Sequence, residues 1–259
     1  MDKLNERIDW ELFRETLEER LDYSDGKKGG RPPFNPVMML KGVVLQRYFD
    51  LSEEETEFQI RDRFSFQRFL GLSIADRMPD KNTIWNFKEK LGKDGIKALF
   101  EKFEQYLYES GITARKGQIV DVSFVDTPRQ RNSREENKQI KEGRVPKDWN
   151  NDSRKLCQKD TDARWMTKNK ERHFGYKIHI KIDRHPKLID NYAVTNASVH
   201  DSRAFIGLLD EERDRVMWAD SAYRSKEISQ DLKDKGIQNR IHEKGCRGHP
   251  LTDNQRLKN

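Results

Sequence analysis

The hydrophobic period of this chain changes near residue 118, and that change limits what the two halves can become. Upstream, apolar residues recur every three or four positions. Trp10, Phe13, Leu17 and Leu21 form one face of an amphipathic helix. After the Gly- and Pro-rich break KKGGRPPFNP, Pro36 opens a second helix over VMMLKGVVLQRYF. SEEE, Ser52 to Glu55, is a capping-box pattern that starts a third helix, running through Phe58, Ile60 and Phe64. PDKNTIWNFKEKL reads as a turn, a polar cap and a short helix. Ile96, Leu99, Phe100, Phe103 and Leu107 stripe a last helix that stops at Gly111. Residues 1–112 are therefore expected to form a helical domain.

Downstream the period is two. QIVDVSFV places Val120, Val122 and Phe124 on one face and Asp121 and Ser123 on the other. FGYKIHIKID alternates Phe174, Tyr176, Ile178, Ile180 and Ile182 with Lys177, His179, Lys181 and Asp183. LIDNYAVTNAS, RVMWAD and IQNRIHEK are further strands, with helices from Asp201 and from Ser225 between them. A hairpin meander followed by crossovers predicts an α+β unit over residues 113–259, a mixed sheet with helices on its faces.

Residues 127–172 interrupt this pattern. They carry 14 Lys and Arg against 8 Asp and Glu, an excess equal to the +6 of the whole chain. With few large apolar residues besides Trp149 and Trp165, the insertion is not expected to build its own core. A loop of this length is usually functional or disordered. The two tryptophans suit either stacking on an exposed base or anchoring the insertion to the sheet. The basic excess favours a polyanionic partner. Cys157 and Cys246 stand outside any CxxC spacing, which argues against a zinc ribbon and fits a reducing cytosol. The first ten residues, MDKLNERIDW, hold no secretory h-region, and no apolar run approaches the roughly 20 residues that span a bilayer. The expectation is a cytoplasmic protein with no membrane segment.

Two strands carry a carboxylate among apolar residues, Asp121 and Asp220. If those strands pair in parallel, the carboxylates become neighbours that repel unless a cation neutralises them. Hard divalent ions are the natural solution, and two of them roughly 3.5–4 Å apart can activate a nucleophile and stabilise the leaving oxygen of a phosphodiester. A plainer reading makes Asp220 a strand-end turn residue. Asp126 is a rival on the opposite face, Asp201 in SVHDS is well placed as a helix N-cap, and Glu227 and Asp231 read as a solvated helix face. Upstream, EETEFQIRDRFSFQRFLGL followed by DKNTIWNFKEKL has helix-turn-helix spacing, and its second helix offers Lys81, Asn82, Asn86 and Lys88 to a DNA groove.

The blocks RPPFNPVMMLKGVVLQRYFDLSEEETEFQIRDRFSFQRFLGL, KNTIWNFKEKL, GQIVD, PRQRNSREEN, QKDTDARW, FGYKIHI and WADSAYRS resemble, in order and spacing, the DDE transposases of bacterial insertion sequences, in the IS-five type branch. The resemblance covers nearly the whole chain. It implies a helical DNA-binding domain (1–112), then an RNase H-like catalytic domain (113–259) with the long basic insertion 127–172. It implies Mg²⁺ (or Mn²⁺) as cofactor, held by Asp121 and Asp220 as the first two catalytic carboxylates. The implied substrate is double-stranded DNA, both terminal inverted repeats and target. A homodimer on DNA and a location at the bacterial nucleoid follow. Arg129, Arg131 and Arg134 of the insertion are candidate backbone contacts. The family's third carboxylate is a glutamate in an Arg-rich R-x-R-V-E-H type helix, and LTDNQRLKN stands where that helix begins. The sequence is thus expected to be truncated at its C-terminus and to show little strand transfer. The alternatives are a DNA-binding remnant that inhibits a full-length transposase, and another RNase H-fold nuclease such as a junction resolvase.

Overall fold

The computed structural model describes residues 1–23, 31–113, 117–168, 170–245 and 250–258. The KKGG of the expected chain break, and Cys246, lie outside the described residues. The chain divides into two compact units, Met1–Glu109 and Ser110–Asn259.

The first unit is helical. It comprises α1 (Asp2–Arg7), a 3₁₀ turn (Trp10–Phe13) running into α2 (Arg14–Leu21), α3 (Pro36–Tyr48), α4 (Glu53–Asp62), α5 (Phe64–Leu70) and α6 (Lys81–Glu109). The start signals act locally. The Asn35 side chain accepts from the N–H groups of Val37 and Met38, and Pro36 sits where a missing N–H costs nothing. The capping box of Ser52 and Glu55 forms in full. The third helix does not run on through Phe64. Arg63 is extended (φ −105°, ψ 111°) and splits it into α4 and α5. The buried Gln67 amide donates to the carbonyls of Ile60 (3.0 Å) and Arg61 (3.1 Å), so those acceptors near the break are satisfied. The two helices expected after Pro79 meet at Gly92, whose φ of 59° and ψ of −174° interrupt α6. The stripe Trp10, Phe13, Leu17 and Leu21 is buried with Leu45, Ile60, Phe69 and Ile84 in one core. Each such fully buried side chain contributes about 1.5–3 kcal/mol.

The second unit holds β1 (Gln118–Asp126), α7 (Arg134–Lys141), α8 (Lys147–Asn150), α9 (Ser153–Cys157), β2 (Arg164–Lys168), β3 (Glu171–Asp183), β4 (Ile189–Asn196), α10 (Asp201–Leu208), β5 (Val216–Ala219), a 3₁₀ turn (Ser221–Tyr223), α11 (Lys226–Asp234), β6 (Gln238–Ile241) and α12 (Asp253–Lys258). The mixed sheet runs β2-β3-β1-β5-β6, with β4 also on β3. β1 is antiparallel to β3 and parallel to β5.

The insertion differs from its expectation. It contains three short helices and a strand, β2, and it does bury a side chain of its own. Trp149 is 0% exposed. Its Nε1 donates to Glu136 (2.8 Å), and the ammonium groups of Lys155 and Lys159 lie over its ring at 5.6 and 5.3 Å. Charged side chains wrap one indole, so low apolar content did not prevent ordering.

Both crossover helices lie on one face. Phe205 and Leu208 of α10 and Ile228 and Leu232 of α11 cluster with Val120, Met217 and Ala219. Residues directly opposite in a ladder share a face. Val120, Val122 and Phe124 oppose Lys181, His179 and Lys177, so the polar set of β3 is the buried one, while Ile178, Ile180 and Ile182 are half-buried. The buried charges are paired. The Lys181 ammonium lies 3.0 Å from Asp190 and from Asp214. The Lys177 ammonium lies 2.8 Å from Asp201 and donates to the Val199 carbonyl at 2.7 Å.

Candidate active site

The ladder between β1 and β5 pairs Gln118 with Met217, Ile119 with Trp218 and Val120 with Ala219. Asp121 and Asp220 are the next residues on each strand, so the parallel register carries the two carboxylates to adjacent strand positions. Alternation places both on the face opposite the crossover helices, and both are exposed. Each is oriented locally. One oxygen of Asp121 accepts from the Val122 N–H (2.8 Å). One oxygen of Asp220 accepts from the Ser221 N–H (2.5 Å) and hydroxyl (3.2 Å). Among the described residues neither carboxylate has an ion-pair partner. Two like charges on neighbouring strands, oxygen-only and open to solvent, are a donor set that fits a hard divalent cation. No group of three or more His, Cys, Asp or Glu among the described residues is placed to hold a metal ion, so the fit is that of two ligands.

The neighbours of this pair were not legible as site residues. Tyr223, which follows Asp220 by one 3₁₀ turn, is 1% exposed and packs its ring on Phe205 at 5.4 Å. Among the described residues its hydroxyl has no hydrogen-bond partner. Burial, and then the negative charges of Asp201, Asp121 and Asp220, push that phenol well above its ordinary range. Asp201 is not the N-cap of α10. His200 takes that place, accepting from the Ser202 N–H, while Asp201 is committed to Lys177. His179 donates to or accepts from the Thr195 hydroxyl at 3.0 Å, and burial lowers its pKa. The rival carboxylate, Asp126, lies at the end of β1 and pairs with His173 at 3.3 Å. The signal for the buried ion pairs is present in the sequence. A strand of isoleucines that alternates with Lys177, His179 and Lys181 either wets that face or must bury partners, and Asp190, Asp201 and Asp214 all sit beside apolar runs.

The residues proposed to meet DNA fall in both units. In α6, Lys81 is held by Glu54 (3.2 Å), and Lys88 by Glu53 and the Gln46 side chain (3.1 Å), whereas Asn82 and Asn86 are exposed on either side of Trp85. In the insertion Arg129, Arg131 and Arg134 are exposed. Trp149 is the anchor of the insertion, and Trp165, 46% exposed on β2, is not.

Two units, one helical and one built on a mixed sheet that aligns an acid pair across parallel strands, define an α+β protein with a candidate cation site. Residues 1–90 match the Transposase domain (DUF772), and residues 113–259 match the Transposase DDE domain. The chain belongs to the Transposase DDE domain family, a family of polynucleotidyl transferases. It is also similar to a chain from the cryo-EM structure of a piggyBac transposase synaptic complex with hairpin DNA, at 13% identity and a TM-score of 0.42. That match covers 96% of this chain and 52% of the other, so the chain spans about half the length of that relative. No helix among the described residues is long and apolar enough to cross a membrane.

Proposed function

We propose that the chain is a transposase that binds the terminal inverted repeats of an insertion sequence and carries out Mg²⁺-dependent cleavage and strand transfer. The reading rests above all on Asp121 and Asp220, which the parallel register sets side by side on an open face within a DDE domain. The two carboxylates would hold Mg²⁺ or Mn²⁺, and the bound ion would supply Lewis acidity to phosphoryl oxygens and lower the pKa of water. The chain's own contribution is to fix the ligands. The Val122 and Ser221 N–H groups each occupy one carboxylate oxygen, which leaves each acid a defined direction.

DNA would be held by charge outside this pair. Arg129, Arg131 and Arg134 supply backbone contacts from the insertion. The helical unit holds the terminal repeat, with Asn82 and Asn86 of α6 facing a groove and Lys81 and Lys88 steadied by α4. Two transposon ends need two sites, so the acting species is a homodimer on DNA, at the nucleoid in the cytoplasm.

The test is a purified chain mixed with labelled element-end DNA, with and without Mg²⁺. Binding to the ends that outlasts unrelated competitor, plus Mg²⁺-dependent nicking lost in Asp121→Asn and Asp220→Asn, supports the reading. Binding without nicking would leave a DNA-binding protein, and cutting of branched DNA in preference to element ends would make it a different nuclease.

A further inference from the structure

We infer that the edge strand β6 is a phosphate track, on which Arg240 and His242 hold neighbouring backbone phosphates of the DNA strand presented to Asp121 and Asp220. The inference rests on the proposed DNA-binding reading and deepens it by naming the side chains that meet the strand beside the acid pair.

Strand register brings these residues together. The parallel ladder between β5 and β6 pairs Trp218 with Arg240 and Ala219 with Ile241. It runs one step further, where the His242 N–H donates to the Ala219 carbonyl at 3.0 Å. β1 pairs Val120 with that same Ala219. The next row across the three parallel strands is therefore Asp121, Asp220 and His242.

Alternation decides the face. Ile241 is 9% exposed and belongs to the core cluster under α10 and α11. Asn239 lies on that side too. Its amide donates to the Ser229 hydroxyl of α11 at 3.4 Å, and its side-chain carbonyl accepts from the Ile241 N–H at 2.9 Å. Arg240 and His242 have the other parity and so share the open face with the acid pair. Residues two apart on a parallel strand stand roughly 6.6 Å apart, so a nucleic-acid backbone running along β6 can meet both.

Both side chains are available. Arg240 is exposed and His242 half-buried, and among the described residues neither has an ion-pair or side-chain hydrogen-bond partner. Arg224, in the turn after Asp220, is by contrast paired with Glu243 at 3.0 Å. Glu243 also takes the Gln255 amide of α12. That ion pair ties the segment beyond β6 to the turn that carries Asp220, and it commits the carboxylate next to His242. A charged edge strand also serves to block edge-to-edge pairing. That role needs charge at the edge but no particular face. Here both donors stand on the face of the acid pair, so a phosphate drawn to a cation on Asp121 and Asp220 meets a guanidinium and an imidazole beside it. A neutral imidazole still offers one N–H, so the contact does not require a charged His242.

The experiment uses the full chain and a set of labelled element-end duplexes, each with one neutral methylphosphonate in place of one backbone phosphate, in Ca²⁺ as a hard divalent ion. Wild type is expected to lose affinity on the order of 10-fold wherever a contacted phosphate is neutralised. Arg240→Ala should become indifferent to one of those positions, and His242→Ala to the neighbouring position on the same strand. His242→Asn keeps a donor and should recover part of the lost sensitivity. All three variants should melt with wild type and keep its Mn²⁺-induced rise in melting temperature, whereas a structural role would lower the one or the other and weaken every duplex alike. If neither substitution flattens a position, or the two flattened positions lie on opposite strands, the track is refuted and the DNA-binding reading stands. If wild type binds no duplex, both are refuted. If the two neighbouring positions respond but wild type never nicks the unmodified duplex in Mg²⁺, the track holds and the cleavage reading falls.

Discussion

Asp121 and Asp220 stand one residue past the last paired positions, Val120 and Ala219, of the parallel ladder between β1 and β5. Their proximity is a product of register. A slip of one residue on either strand would send one carboxylate to the helix-covered face. An uncompensated acid pair costs stability that a bound cation restores. Millimolar Mn²⁺ should therefore raise the melting temperature of the full chain by a few degrees, about 1–2 kcal/mol at 10- to 30-fold saturation. Asp220→Asn should lose most of that rise and melt at or slightly above wild type without metal. A Mn²⁺ shift that survives in Asp121→Asn and Asp220→Asn alike would place the ion elsewhere.

The Lys181 ammonium faces two buried carboxylates, Asp190 and Asp214, at 3.0 Å each. Lys181→Met leaves two like charges under α10 and should cost about 3–5 kcal/mol in chemical denaturation. Asp214 behaves oppositely. Burial raises its pKa above the usual carboxylate range. Its stabilising proton is fully in place below the ordinary value of 3.8 and is lost as pH rises through the raised folded value. Asp214→Asn should flatten that decline and sit within about 1 kcal/mol of wild type near neutrality. Equal losses from Lys181→Met and Asp214→Asn would show that the cluster is not charge-imbalanced.

The order of strands and helices was legible because period and caps are local. Ser52, Asn35 and Ser225 each accept from the backbone where the pattern places a helix start. The acid pair was legible because a carboxylate within an apolar strand is costly and needs a reason. Which face of β3 is buried was not. The alternation of isoleucines with Lys177, His179 and Lys181 reads the same from either side, and only the placement of α10 and α11 decides it. Nor was β2, since Arg164–Lys168 has one apolar side chain on each face and owes its strand to pairing with β3. The break at Arg63 depends on Gln67 reaching back to Ile60, a contact with no sequence signature.

Glu136 links α7 to Trp149 and should make the insertion acid-labile. The Ser133 N–H, then the Trp149 indole and Lys155, hold its carboxyl down from 4.5 to about 2. A depressed folded pKa means that the stabilisation is present above 4.5 and is lost as pH falls from there toward 2. Trp149 fluorescence, read in a chain whose other tryptophans are replaced by Phe, should report its exposure over that window. Glu136→Gln, with no carboxyl to protonate, should remove that pH dependence and leave Trp149 more exposed even at neutral pH. An insertion signal that stays flat from pH 5 to pH 3 in the wild type, about the range where such a carboxylate begins to protonate, would contradict this.

The exposed arginines and the paired lysines should separate in their salt dependence. Each of Arg129→Ala, Arg131→Ala and Arg134→Ala should reduce the slope of log K against log salt by about 0.9 for a lost phosphate contact. Lys88 is committed to Glu53 and Gln46, so Lys88→Ala should lower the melting temperature and leave the slope within error. A reduced slope for Lys88→Ala would mean that α6 releases its lysine to DNA.

Gly175 tests how far the acid pair depends on the antiparallel half of the sheet. It sits where β3 meets the end of β1, opposite Asp126, at a φ of +150°. A Cβ there would lie 2.1 Å from the Val125 carbonyl oxygen and 3.0 Å from the Thr127 nitrogen, both backbone atoms that cannot swing aside. Gly175→Ala must therefore push β1 from β3 locally, at a cost of about 3 kcal/mol or more in urea denaturation. Asp121 lies five residues back along β1, beyond the parallel pairing with β5 that fixes it beside Asp220. The separation should thus fade before it reaches the site, and Mn²⁺ should still raise the melting temperature of Gly175→Ala by the wild-type increment. If the variant keeps wild-type stability, the close approach is not a constraint. If it loses the Mn²⁺ increment as well, the register of the acid pair is set by β3 rather than by β5.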